Sequence, residues 1–493
     1  MSESDVVIVG AGAAGCVLAA RLAQSPSRSV LLLEAGPDLR ADTPEEIREG
    51  WGISRESFDW GFRSEPDERS GGVNVWRKKL VGGTSWLTRF VVRGSTADFD
   101  GWVSRGNRGW SWDEVLPYFI RLETDRDFGD RPWHGDAGPI PVDRHVDVEP
   151  TDMGAAAMAA LEATGFPTID DHNRPGAIGA GRMPMNTRAG ERVTTADAYL
   201  PLGATPPTLT VRPGAHVDRV IFEGTRARGV RLLDGTEVEA GWVALSAGTY
   251  GSPAILMRSG VGAADHLRSF DIPVVVDLPG VGANLADHPS AVLEAPYPAE
   301  VRRAPLLHTI ATFHSESAPS DGPHDLLLWI SEPAGDPTTF EIDVVLMRPT
   351  CRGTVRLRST DPADAPRIVL PDRRERADMN RLIEGYHRAR EVAEQPEVAR
   401  RCRELSAARA ENADALPGWI LENSYSVPHV VGTCAMGASP DDGAVVDPSG
   451  HVHGTERLSV VDASIIPEPT SGFPHVVTIM LSERLAEEVG RLL

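Results

Sequence analysis

The chain has 493 residues, with 71 acidic against 49 basic side chains and a formal net charge of −22. That balance argues against a nucleic-acid partner and against an anionic membrane surface. Hydrophobic content of 41% and charged content of 24% are those of a globular protein, and the length calls for two domains or one with a large insertion. Cys16, Cys351, Cys402 and Cys434 are far apart with no CxxC pair, so neither a disulfide framework nor a zinc site is expected. The first strand begins by Asp5, leaving no room for a signal peptide. No apolar run reaches about 18 residues, so no membrane span is expected, and a cytoplasmic location follows.

Asp5–Val9 is a nearly continuous apolar run, the pattern of a buried parallel strand. Gly10-Ala-Gly12-Ala-Ala-Gly15 follows, then a helical pattern from Cys16 to about Gln24. A second apolar run, Val30–Leu33, ends in Glu34, nineteen residues after Gly15. Strand, glycine turn, helix, strand and terminal acid form the dinucleotide-binding fingerprint in its required context. Gly10 permits the tight turn, Gly12 lets the backbone approach a pyrophosphate, and Gly15 lets helix and strand pack closely. The helix N-terminus offers free N–H groups and a positive dipole end to phosphates. Glu34 is placed to accept from a ribose diol. The motif leaves the identity of the dinucleotide open.

A polar, helical stretch is expected up to Gly50, then an excursion carrying Trp51, Phe58, Asp59, Trp60 and Trp76. In Arg77–Trp86, two bases precede small residues that let backbone N–H groups approach an anion or a flat ring. A helix begins at Trp112. His134 reads as a turn histidine and Asp170–Asn173 as a polar loop. Met153–Thr164 is an alanine-rich helix. Four short strands follow between Thr208 and Val243, with Asp234-Gly235 as a hairpin turn, and Trp242–Gly248 returns as a separate buried strand. Residues 289–425 read as a sheet with helices on one face. Ser459–Pro467 is a buried strand closing on Asp462, and Val476–Leu492 is an amphipathic helix. The division expected is a discontinuous cofactor domain, 1–150, 180–288 and 426–493, and a substrate domain, 151–179 and 289–425.

Four blocks in order carry a resemblance over essentially the whole chain. They are the opening fingerprint; Gly82-Gly-Thr-Ser85 after Arg77; Gly248–Gly262; and the segments around His429 and His475 with Val461–Pro467 between them. Leu278–Pro289 is a further shared element. The chain resembles the glucose–methanol–choline (GMC) oxidoreductases, FAD enzymes. The resemblance implies an α/β fold with a Rossmann-like FAD-binding domain and a second α+β substrate domain on an antiparallel sheet. It implies FAD rather than NAD. Gly10, Gly12, Ala13, Ala14, Gly15, Glu34 and Ala35 would hold the ADP half, with Val217 at the adenine. Arg77, Gly82, Gly83, Thr84, Ser85 and Thr88 would lie along the pyrophosphate and flavin. Ala247, Gly248, Asp462, Ala463, His475 and Val476 would complete the site. The family signature has a small residue where Lys78 stands, and Asn or His where Thr88 stands. Some relatives attach FAD through a histidine at the position of Leu87, so non-covalent FAD is expected here.

Flavin-dependent alcohol oxidation needs a base for the hydroxyl proton while hydride leaves for flavin N5. The family blocks single out two of the fourteen histidines, His429 as main base and His475 as holder of the oxygen, with the roles open to exchange. The implied activity is oxidation of a small-molecule alcohol, with oxygen or another redox carrier receiving the electrons. Bacterial members acting on aromatic or furan alcohols, and the mycofactocin-linked GMC dehydrogenases, are similar in Leu122–Phe128 and Gly138–Pro141. The alternatives are a hydroxynitrile lyase on the same scaffold with redox-silent FAD, and a nicotinamide reductase sharing only the fingerprint.

Overall fold

A computed structural model describes residues 4–44, 57–66, 71–297, 307–334, 339–402 and 415–493. Trp51 and the end of the polar stretch before Gly50 lie outside the described residues. In chain order the elements that build the site begin with β1 (Ser4–Val9), α1 (Ala13–Leu22), β2 (Val30–Leu33), α2 (Trp112–Leu122) and α3 (Asp152–Ala163). Next come β3 (Gly179–Arg182), β4 (Leu209–Arg212), β5 (Val217–Glu223), β6 (Arg226–Leu232), β7 (Glu237–Leu245) and α4 (Gly248–Arg258). Then follow β8 (Pro289–Pro296), β9 (His308–Phe313), β10 (Leu326–Ala334), β11 (Thr339–Leu346) and α5 (Arg376–Ala393). The chain closes with β12 (Ser424–Ser426), β13 (Leu458–Val460) and α6 (Pro474–Leu492).

The first sheet has the order β4-β2-β1-β7-β6-β5, with β13 also on β7. Its parallel core is β4, β2, β1, the end of β7 and β13. Val6, Val7, Ile8 and Val9 are all buried because both faces of this core are covered. Each contributes about 1.5–3 kcal/mol by leaving water. On one face α1 packs against α6, and Arg21 and Tyr199 both bond the buried Glu483 of α6, at 2.7 and 2.6 Å.

Two expectations are corrected. The helix after the glycine turn begins at Ala13 rather than Cys16, with Gly12 as its N-cap. The strands read as Glu237–Val243 and Trp242–Gly248 are one strand. Its first residues pair antiparallel with β6, and Ala240–Leu245 pair parallel with β1.

The second sheet is fully antiparallel, in the order β12-β8-β11-β10-β9-β3. β3 and β12 belong to it, so the divisions expected at 179/180 and 425/426 fall inside strands. Period-2 alternation gives the sheet two apolar faces. Leu293, Ala311, Leu328, Ile342 and Val344 pack on α3 and α5. Ile310, Leu327, Trp329 and Val345 pack on Phe90, Val427 and Phe473, next to the loops that end the first sheet. No helix among the described residues is long and apolar enough to cross a membrane.

Candidate active site

The carboxyl ends of the parallel strands β1, β2, β7 and β13 gather the glycine and acid motifs at one edge of the sheet, where open α/β sheets take ligands. The Gly10–Gly15 loop is fixed by contacts that admit no side chain. Gly10 has φ +99°, and a Cβ there would meet the Ser246 carbonyl oxygen at 2.5 Å; one on Gly15 would meet the Gly10 oxygen at 1.9 Å. Gly12 is different, since a Cβ there would meet none of the described residues within 4 Å. The loop backbone is thus packed from behind and open in front, where α1 begins with no side-chain cap and no acid in its first turn. Ala13 and Ala14 present only methyl groups there. Glu34, buried at the end of β2, accepts from the Ala11 and Gly36 N–H groups, each at 2.9 Å. Burial raises its pKa, and those N–H groups work against the rise. Ala35 follows it, and Ala215 donates to the Glu34 carbonyl at 2.7 Å, which brings Val217 at the start of β5 to the same end of the cradle.

Gly82–Ser85 lies directly on the first loop. The Gly82 N–H donates to the Ala11 carbonyl at 2.7 Å. Ser85 turns inward to the Gly82 carbonyl at 2.6 Å, while Thr84 is half-buried. Ala247 caps α4, and Gly248, at φ +78° with open space before it, donates to Asp462 at 2.9 Å. Asp462 also accepts from Ser252 Oγ at 2.6 Å and from the Ser464 N–H at 2.8 Å. This buried carboxylate, its pKa raised by burial, ties the start of α4 to the end of β13, beside half-buried Ala463.

The other named residues lie away from this cradle. Arg77 donates to the Pro428 carbonyl at 3.0 Å and stacks 5.2 Å over Tyr250, next to His429. Thr88 is half-buried, two residues before Phe90. Lys78, where the family has a small residue, is buried and bonds the Ser57 carbonyl.

His429 and His475 come together at the second sheet. Phe473, which precedes α6, packs 4.7 Å from the His429 ring. His475 occupies the first turn of α6, with Val476 buried behind it. His429 is held well below the usual histidine range by burial, then by His288, Arg77 and His475. Burial, with Arg192 adding, lowers His475 to about 4. Both rings are therefore neutral near pH 7. His475 Nε2 is buried with no hydrogen-bond partner among the described residues, a costly arrangement unless a ligand completes it. Phe90, Trp329 and Phe473 form the wall beside them, Phe90 and Trp329 meeting edge to face at 4.8 Å.

The sequence reading leaves Asp287 and His288 unassigned, although both lie inside the Leu278–Pro289 element. His288 stands 3.1 Å from His429, nitrogen to nitrogen. His134 and the Asp170–Asn173 loop lie in turn and loop segments as expected, but His134, Asp171, His172 and Asn173 are buried. His134 is fully buried, bonding Glu123 at 2.6 Å and Asp171 at 3.0 Å. Burial disfavours its charge, but the Asp171 and Glu123 carboxylates outweigh that and raise its pKa. Arg93 pairs with Glu123 at 2.6 Å, and Arg144 bridges Asp125 and Asp171 at 2.9 Å. Glu123, Asp125 and His134 have metal-ligand chemistry within 4.8 Å of one another, yet two guanidinium groups already neutralise them.

The two sheets and the converging glycine and histidine motifs define an FAD-type oxidoreductase fold. Residues 4–290 and 349–482 match the two GMC oxidoreductase family models, and the chain belongs to that family. It is 35% identical to an oxygen-dependent choline dehydrogenase of Chromohalobacter salexigens, covering 99% of this chain and 95% of that one. It is 34% identical to a 5-(hydroxymethyl)furfural oxidase of Methylovorus, covering 98% of each. The crystal structure of pyridoxine 4-oxidase from Mesorbium loti superposes with a TM-score of 0.89 at 32% identity, covering 99% of each chain. The chain is thus an FAD-family oxidoreductase of the class that acts on alcohols.

Proposed function

We propose that this chain oxidises a small alcohol to a carbonyl compound with non-covalently held FAD, His429 taking the hydroxyl proton and His475 holding the substrate oxygen. The residues present fit the cofactor. Open space before Gly12 and Gly248, an uncapped α1 and a buried Glu34 suit an ADP moiety. Gly82–Ser85 and Asp462 continue that cradle toward His429 and His475. Leu87 offers no nucleophile for a covalent link, which supports non-covalent binding. We assign the first sheet to the cofactor and the antiparallel sheet to the substrate.

When bound, FAD supplies the acceptor for the hydride that leaves the carbinol carbon. The rest falls to the chain. The observation that carries the reading is a neutral His429 beside a second histidine whose buried Nε2 lacks a partner. His475 Nε2 meets its missing partner in the substrate oxygen, and a neutral His429 accepts the proton as that oxygen develops charge. The wall of Phe90, Trp329 and Phe473 suits an alcohol with a flat, apolar body, as the furan and pyridine names of two relatives suggest. Oxygen or another carrier takes the electrons onward. The four free cysteines suit a reducing, cytoplasmic setting.

The test is to purify the protein, record its flavin spectrum, and mix it without oxygen with 5-hydroxymethylfurfural, benzyl alcohol, pyridoxine and choline. Bleaching by at least one ring alcohol is expected. Flavin that stays oxidised with every alcohol, or a protein without flavin, overturns the reading.

A further inference from the structure

Asp287 and His288 lie just ahead of β8, against the end of β12 and the loop after it that carries His429. Asp287 Oδ1 accepts the backbone N–H of His288 at 2.9 Å and that of His429 at 2.8 Å. Its other oxygen accepts from Ser426 Oγ. One carboxylate thus fixes both histidine backbones. The rings that result are perpendicular, at 89°, with centroids 5.2 Å apart and the two Nδ1 atoms 3.1 Å apart. His288 is 1% exposed.

Two neutral imidazoles joined Nδ1 to Nδ1 need one donor and one acceptor. The role of His429 decides which, because its Nδ1 is taken up by His288 and Nε2 is the nitrogen left to meet a substrate. His288 Nε2 is buried with no hydrogen-bond partner among the described residues, so Nδ1 is the nitrogen through which that ring acts. A base needs a lone pair, so His429 Nε2 is bare, and the His288 proton belongs on its own Nε2 while its Nδ1 keeps a lone pair. His429 must then carry its own proton on Nδ1 and donate it to His288. Its Nε2 is left with the lone pair.

We propose that His288 is the positioning residue that locks His429 in the Nδ1–H tautomer and so makes His429 Nε2 the proton-accepting nitrogen. The inference rests on His429 being the base. In the step, the alcohol proton goes to His429 Nε2, the existing Nδ1–H stays on His429, and His288 neither gains nor loses a proton. The Nδ1–H···Nδ1 bond strengthens as His429 becomes a cation.

The experiment is nitrogen NMR of the holoenzyme labelled with ¹⁵N-histidine, His429 being assigned by loss of its signals in His429→Gln. Wild type is expected to show His429 protonated on Nδ1 and bare on Nε2. His288→Leu, which removes the acceptor, should mix the two tautomers and lower kcat by roughly 10²-fold with KM little changed. His288→Asn, whose side-chain oxygen replaces the acceptor, should restore both. A wild-type His429 protonated on Nε2 overturns the proposal, as does an unchanged tautomer in His288→Leu. A wild-type flavin that no alcohol bleaches defeats the functional reading instead, and leaves the tautomer measurement to decide this one.

Discussion

Gly12 and Gly83 pass so closely that a Cβ on Gly83 would stand 2.7 Å from the Gly12 Cα. Gly83 also has φ +50°, a left-handed conformation. Gly83→Ala should therefore cost about 1–3 kcal/mol and release the flavin, because the second glycine turn must lift off the first. Gly12→Ala meets open space, so it should leave the apoprotein melting temperature within a degree or two while weakening FAD binding, since the methyl group enters the cradle. Thermal unfolding of both apoproteins, with flavin titration, checks the contrast. Equal loss of stability in the two variants would contradict it.

Arg93 and Glu123 are both fully buried, 2.6 Å apart. Burial pushes the Glu123 carboxyl up, but Arg93 and His134 outweigh it and hold its pKa low. Arg93→Met should cost about 3–5 kcal/mol, since it strands a buried charge. Adding Glu123→Leu should return part of that loss. Denaturant unfolding of the single and double variants reads both numbers, and an additive double variant would show that the pair is not coupled.

Asp343, on β11, is buried and accepts from Tyr425 Oη at 2.7 Å. Burial raises its pKa from 3.8 to about 7. The folded state thus holds a proton that the unfolded chain releases as pH rises from about 4 to about 7. This group's stabilising contribution is full below that window and is lost through it. Asp343→Asn cannot titrate. Relative to the variant, wild type should lose on the order of 4 kcal/mol between pH 4 and pH 7. Parallel stability curves for the two proteins would exclude a shifted Asp343.

Local pattern makes much of this fold legible. β1, the glycine turn, α1 and β2 follow from a continuous apolar run, glycine spacing and a terminal acid. The join inside β7 does not, because Glu237 and Glu239 alternate with buried Val238 while Trp242–Leu245 run apolar. One strand that serves a hairpin and a parallel core therefore reads as two. His134 reads as a turn residue because its partners Glu123 and Asp171 stand 11 and 37 positions away. His288 and His429 are 141 residues apart. Their contact arises from the antiparallel pairing of β8 with β12, which no local period records. His429 and His475 are readable only through their family blocks, since nothing local separates them from the other histidines.

The central claim, that His429 takes the hydroxyl proton, is tested most directly by mixing oxygen-free His429→Ala holoenzyme with an alcohol that bleaches wild type and following the flavin by stopped flow. The variant should keep its FAD, because His429 lies outside the Gly10–Gly15, Gly82–Ser85 and Asp462 cradle, yet its reduction should slow by about 10²–10⁴-fold. A flavin-loaded variant that bleaches at the wild-type rate would contradict the assignment.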